Sequence, residues 1–148
     1  MIKHIWTVIC SQVVIDQDTN NISLFNILEE VGIPQEVVKE NNIIPIVLEI
    51  VSLWVRSDLA EPSKGSARIS LIAPDGELLK TVESEVDLTD HERLRARGCF
   101  QGLPFKGEGV YDFKVSLKNN HDWAEVATIP VKIRFMDQND SEQRIDQG

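Results

Sequence analysis

The chain has 148 residues, 42% of them hydrophobic, and its 24 acidic against 15 basic side chains give a net charge of −9. That length makes a single domain, able to bury roughly 70% of the surface its unfolded form exposes. The charge repels a phosphate backbone over most of the surface and argues against nucleic acid as a partner, while no segment reaches the roughly 18 uninterrupted apolar residues of a membrane span.

Met1-Ile-Lys-His-Ile-Trp6 lacks a long apolar run and a small-residue cleavage site, so it reads as a first strand and not as a signal peptide. Cys10 and Cys99 need not be bonded for a domain of this size to stand, and the expected location is cytoplasmic, with both thiols reduced and buried as small hydrophobes. The first hairpin runs from Ile5 to Ile15, turns through Asp16-Gln-Asp-Thr-Asn-Asn21 and returns from Ile22 to Val31. Asp and Asn tolerate left-handed backbone angles and bond to their own main chain, which makes that polar cluster a turn. Pro34 closes the unit, and Gln35 to Asn42 has room for one or two helical turns lying on the sheet.

Pro45 to Arg56 is apolar on both faces, as a central strand covered by a second sheet must be, although Pro45, Glu49 and Ser52 interrupt it. A loop from Leu59 to Ser66 leads to the strand Ala67 to Ala73, where Ala67, Ile69, Leu71 and Ala73 alternate with polar neighbours. Pro74-Asp-Gly76 then turns the chain, with Pro presetting the first turn angle and Gly supplying the positive one. The fifth strand is Glu77 to Asp87, a short turn holds Thr89 to Glu92, and the sixth strand runs from Arg93 to Phe105 across Gly98 and Gly102. Lys106 to Gly109 turns into the strand ending at Lys118, where Tyr111, Phe113, Val115 and Leu117 alternate strictly with polar residues. Asn119 to Asp122 turns again into Trp123 to Phe135. Residues 1–136 thus form one domain, and Asp137 to Gly148 form a polar, disordered tail.

About eight half-buried strands without intervening helices predict an all-β protein, an antiparallel two-sheet sandwich of the immunoglobulin-like or fibronectin-like kind, with a β-barrel as the alternative. Two stretches carry a resemblance beyond periodicity. Val13 to Leu28, together with the later Pro74-Asp-Gly76 turn and the Gly109-Val-Tyr111-Asp-Phe113 strand, resembles the pattern of an uncharacterised bacterial family of short cytosolic proteins. The resemblance implies an immunoglobulin-like sandwich of bacterial, cytosolic origin and brings no activity with it. Gly109-x-Tyr111 also looks like the start of the penultimate strand in many such sandwiches, where the tyrosine hydroxyl ties back to nearby main chain. Phe113 stands where antibody domains place a cysteine, so the inter-sheet disulfide pattern is absent.

No motif names an activity. Asp16, Asp18 and Asn20 have the first three spacings of a calcium loop, but the sixth position is Asn21 and the twelfth is Ile27, so the cluster reads as a turn. Asp18-Thr19-Asn20 falls one residue short of the aspartic-protease triplet. His4, His91 and His121 are scattered, and Asp90, His91 and Glu92 read as a solvated loop and not as a metal site. A Gly-x-Ser-x-Gly elbow and a phosphate loop are both missing, and Gly107-Glu-Gly109 leads into a strand instead of a helix.

Charge patterning is more informative. Arg93, Arg95 and Arg97 share one face of the sixth strand, and Glu83, Glu85 and Asp87 share one face of the fifth. An antiparallel hairpin would pair Asp87 with Arg93, Glu85 with Arg95 and Glu83 with Arg97, a salt ladder that fixes register. If the chain instead crosses between sheets here, the arginines are left as an anion site, spaced at about 7 Å along the strand. His121 and Trp123, at a loop and strand junction, form the candidate contact surface, because Trp is a frequent interface anchor. The expected function is therefore that of a non-enzymatic protein-interaction module, without cofactor, that meets another protein or its own copy through an outer strand. The alternatives are a small-ligand or anion-binding domain using the arginine row, and an accessory subunit of an enzyme.

Overall fold

The computed structural model describes residues 1–38, 42–58, 60, 63–119 and 121–136. The expected polar tail, 137–148, lies outside the described residues. Nine strands follow in order: β1 (Ile2–Ile15), β2 (Ile22–Ile27), β3 (Glu30–Ile33), β4 (Ile43–Arg56), β5 (Lys64–Ile72), β6 (Leu78–Asp87), β7 (Arg93–Pro104), β8 (Gly109–Lys118) and β9 (Trp123–Phe135). One short 3-10 turn, Gln35–Val38, separates β3 from β4. Two sheets, with strand orders β2-β1-β4-β7 and β3-β9-β8-β5-β6, face each other as a sandwich. Among the described residues no helix is long and apolar enough to cross a membrane.

Alternation explains the core. The odd-numbered side chains of β8, Tyr111, Phe113, Val115 and Leu117, are buried from the second sheet. They meet Leu48, Ile50 and Trp54 of β4 and Phe100 of β7 from the first. Phe100 and Phe113 stack across the interior with ring centroids 5.9 Å apart. The anticipated tie at Tyr111 is present: its hydroxyl accepts from the Lys106 N–H and donates to the Gly107 carbonyl, both at 2.7 Å. The Pro74-Asp-Gly76 turn also forms as read, with Gly76 at φ 93° and its N–H on the Ala73 carbonyl at 2.9 Å. Gly109 fits against it, since a Cβ there would stand 2.9 Å from Pro74.

The sequence-based strand Ile22 to Val31 is two strands in two sheets. Asn26 takes a left-handed φ of 54°, the Leu28 N–H turns to the Ile9 carbonyl, and Leu28 packs into the core. β3 then joins the second sheet, pairing parallel with β9 from Glu30↔Lys132 to Ile33↔Phe135, the one parallel ladder among the described residues.

The expected ladder between the fifth and sixth strands does not form. β6 lies at the edge of the second sheet and β7 at the edge of the first. The cause is Leu88, fully buried in the core between the sheets, with its N–H on the Ser63 carbonyl. From the other side Arg56 holds the arch, its N–H on the Glu92 carbonyl and its guanidinium on the Thr89 carbonyl. An apolar residue in the middle of a supposed turn draws the chain inward and across the sandwich.

Candidate anion site on the outer face of the first sheet

With the ladder dissolved, its two halves have different neighbours. The acids pair across the second sheet: Arg68 binds Glu83 at 3.1 Å and Lys64 binds Asp87 at 3.3 Å, following the β5–β6 register. The Asp87 carboxyl is held at a pKa of about 2, chiefly by hydrogen bonds from Thr89 and then by Lys64. Glu85 has no ion-pair partner among the described residues.

The arginines point outward from β7 because Leu94, Ala96 and Phe100 point inward. Register places Arg93 beside Val55, Arg95 beside Leu53 and Arg97 beside Val51 of β4. Beyond these, Trp6 stands next to Leu53 and Val8 next to Val51, so the arginine row borders an apolar outer face. Val51 and Cys10 are fully buried there, although neither faces the space between the sheets. The tip of the β1–β2 hairpin comes back toward this face. The hairpin's pairing with β4 ends at Cys10↔Glu49, yet its tip reaches Arg95, whose Nη2 donates to the Asn20 carbonyl at 2.9 Å and to Asn20 Oδ1 at 2.8 Å. Arg95 lies four residues back along β7 from the Cys99↔Glu49 pair, so the hairpin must fold over the sheet to touch it.

Between the hairpin tip and β7 is a hollow of about 310 Å³, lined by His91, Arg93, Arg95 and Arg97 with Ile15 and Asn20. Among the described residues one carboxylate touches this group: Glu49 accepts from Arg97 at 2.9 Å. The Arg93 side chain makes no hydrogen bond or ion pair among the described residues. Three guanidinium forks and an imidazole around one concavity suit a carboxylate or phosphate, because each fork can present two parallel N–H donors to two oxygens.

The remaining sequence-stated sites lie elsewhere. Asp16 Oδ1 accepts from the Asp18 and Thr19 N–H groups at 2.8 and 2.9 Å, and these donors lower its pKa. The side-chain oxygens of Asp16 and Asn20 thus serve the turn and its latch on Arg95. Asp90, His91 and Glu92 are all exposed, and among the described residues no group of three potential ligands is arranged to hold a metal ion. Cys99 is exposed on β7, which corrects the expectation that both thiols are buried; Cys10 is buried, and desolvation raises its pKa. Both thiols are free. Trp123 starts β9 on the outer face of the second sheet with the Arg68 guanidinium 3.8 Å above its ring, and Lys118 approaches from 5.8 Å. Its indole is thus sheathed by cations, while His121 is exposed nearby.

A larger concavity, about 510 Å³, lies between β1 and β9 and is lined by apolar groups such as Val8, Leu28, Val110, Ile129 and Pro130. Its bordering strand edges are poor templates: β1 bulges at Ile5, β9 bulges at Val126, and Pro130 offers no N–H. Sequence reasoning named the arginines but missed Asn20 as their neighbour, since the two lie 75 residues apart. The left-handed Asn at the turn tip was the only local sign.

No protein-family model matches this chain, and no curated protein matches it either.

Proposed function

We propose that the protein is a non-enzymatic binding module that receives an anionic group of a protein partner on the arginine row of β7. The carrying observation is the gathering of Arg93, Arg95, Arg97 and His91 around one hollow with a single carboxylate in contact among the described residues, on a chain of net charge −9. A concentration of positive charge on an acidic surface focuses potential where the rest of the molecule repels anions. On the outer face of the second sheet, Arg68 and Lys64 are already met by Glu83 and Asp87. A cytoplasmic location belongs to the same reading and is supported by the two free thiols.

The test is a backbone-amide NMR titration with inorganic phosphate. Shifts confined to residues 91–97 and Asn20, and abolished in the Arg93→Ala, Arg95→Ala double variant, are the expected result. Shifts spread evenly over the surface, or unchanged in that variant, would remove the proposal.

A further inference from the structure

The sandwich has two flanks, and they differ. On one flank the outer strands are the short β2 and β3, and the stretches of β1 and β9 that they leave uncovered carry bulges and a proline. On the other flank, among the described residues, β6 is unpaired along its outer edge from Lys80 to Asp87, and β7 from Arg93 to Gln101. Neither stretch contains a proline or a register shift against its inner neighbour. Regular edges of this length are templates for another strand.

We infer that this flank binds a second copy of the chain, with β6 of each copy adding to β7 of the other. This rests on the reading of the arginine row as an anion receiver and names the anion: the carboxylate row of Glu83, Glu85 and Asp87. Geometry favours this arrangement. Joined by the short arch Leu88 to Glu92, β6 and β7 run in opposite directions at the same flank. A twofold axis along the strands exchanges the two sheets, so β6 of one copy arrives antiparallel beside β7 of the other. The outer face of one sheet then continues into the outer face of the other. The arch ends of both strands stay level, so Asp87 meets Arg93, Glu85 meets Arg95 and Glu83 meets Arg97 across the copies. The complementary rows that the arch separates within one chain are reunited between two. Existing partners extend the pattern: Arg68 and Glu83 of one copy would continue into Arg97 and Glu49 of the other, a row of alternating sign across four strands. Such an isologous contact closes on itself.

The same register sets Thr81 opposite Cys99, at the separation of directly opposed antiparallel residues, which a disulfide spans. The experiment is sedimentation of the full chain together with oxidative cross-linking of Thr81→Cys in a Cys10→Ser background. The wild type should sediment as a dimer that weakens with salt. Glu85→Arg and Arg95→Glu should each weaken association by more than about tenfold, and the double variant should recover it. Thr81→Cys should give a disulfide-linked dimer through Cys99, and Glu83→Cys, one step out of register, should give far less. A wild type that stays monomeric, or Thr81→Cys and Glu83→Cys linking equally, would overturn the inference. Localised phosphate shifts in a monomeric protein would leave the anion site standing without this partner; a Cys99-linked dimer without phosphate shifts would do the reverse.

Discussion

Replacing Tyr111 by Phe removes one oxygen and tests how the β7–β8 turn is held. That oxygen takes a hydrogen bond from the Lys106 N–H and gives one to the Gly107 carbonyl, each at 2.7 Å, and the residue is fully buried. A net hydrogen bond contributes about 1 kcal/mol, and two are lost together. Lys106 is exposed and Gly107 half-buried, so water can partly replace the phenol, and the expected loss is about 1–2 kcal/mol. For a chain of this length each kcal/mol moves the melting temperature by roughly 3 °C. The variant should therefore melt about 3–6 °C lower, with a urea midpoint reduced at unchanged m-value. The aromatic ring stays, so Phe100, Phe113 and the rest of the core are undisturbed. A loss below about 0.3 kcal/mol would show that the tie is ornamental, and a changed m-value would show that the substitution alters more than two hydrogen bonds.

Two further outcomes follow from buried groups. His4 lies half-buried against Trp54, its Nε2 2.7 Å from Thr7 Oγ1, which in turn contacts Ser52 Oγ, and burial lowers its pKa. The unfolded chain then takes up this proton more readily than the folded one, so the stability from the neutral ring is complete above about pH 6.5 and drains away as pH falls toward the folded value. Urea midpoints measured between pH 7.5 and 5.5 should decline in the wild type and flatten in His4→Gln; equal slopes would reject the assignment. Leu88→Ala should cost roughly 2–4 kcal/mol, because it empties a fully buried site in the arch, whereas Leu78→Ala at an exposed position should stay within about 0.5 kcal/mol. Similar losses at the two positions, read by thermal melting, would contradict the role given to the arch.

Local patterns carried the sequence reading a long way. Strict alternation from Tyr111 to Lys118 placed a core strand, and Pro74-Asp-Gly76 placed a turn, because both depend on interactions within a few residues. The split of Ile22 to Val31 was hidden, since apolar residues keep alternating through Leu24 and Leu28 while only Asn26 marks the crossing. Register arithmetic for Glu83 to Arg97 was correct as arithmetic and wrong as structure. It treated Leu88 as a turn residue, and burial of that side chain outweighs the small contribution of three exposed ion pairs. The arginine row was legible as a row, but not its hollow, which needs the hairpin tip brought back over the sheet.

The bulges at Ile5 and Val126 have a consequence for how the protein behaves in concentrated solution. Fibrils grow only when every added unit offers a fresh edge like the one it consumed. Here, docking through the β6–β7 flank would use up the two long straight edges and present to the next arrival only the short outer strands β2 and β3, of 6 and 4 residues, beside the kinked stretches of β1 and β9 with Pro130 among them. Salt that masks the charge of −9 should thus leave the protein clear of ordered polymer, because what stops propagation is backbone shape and shape is not screened.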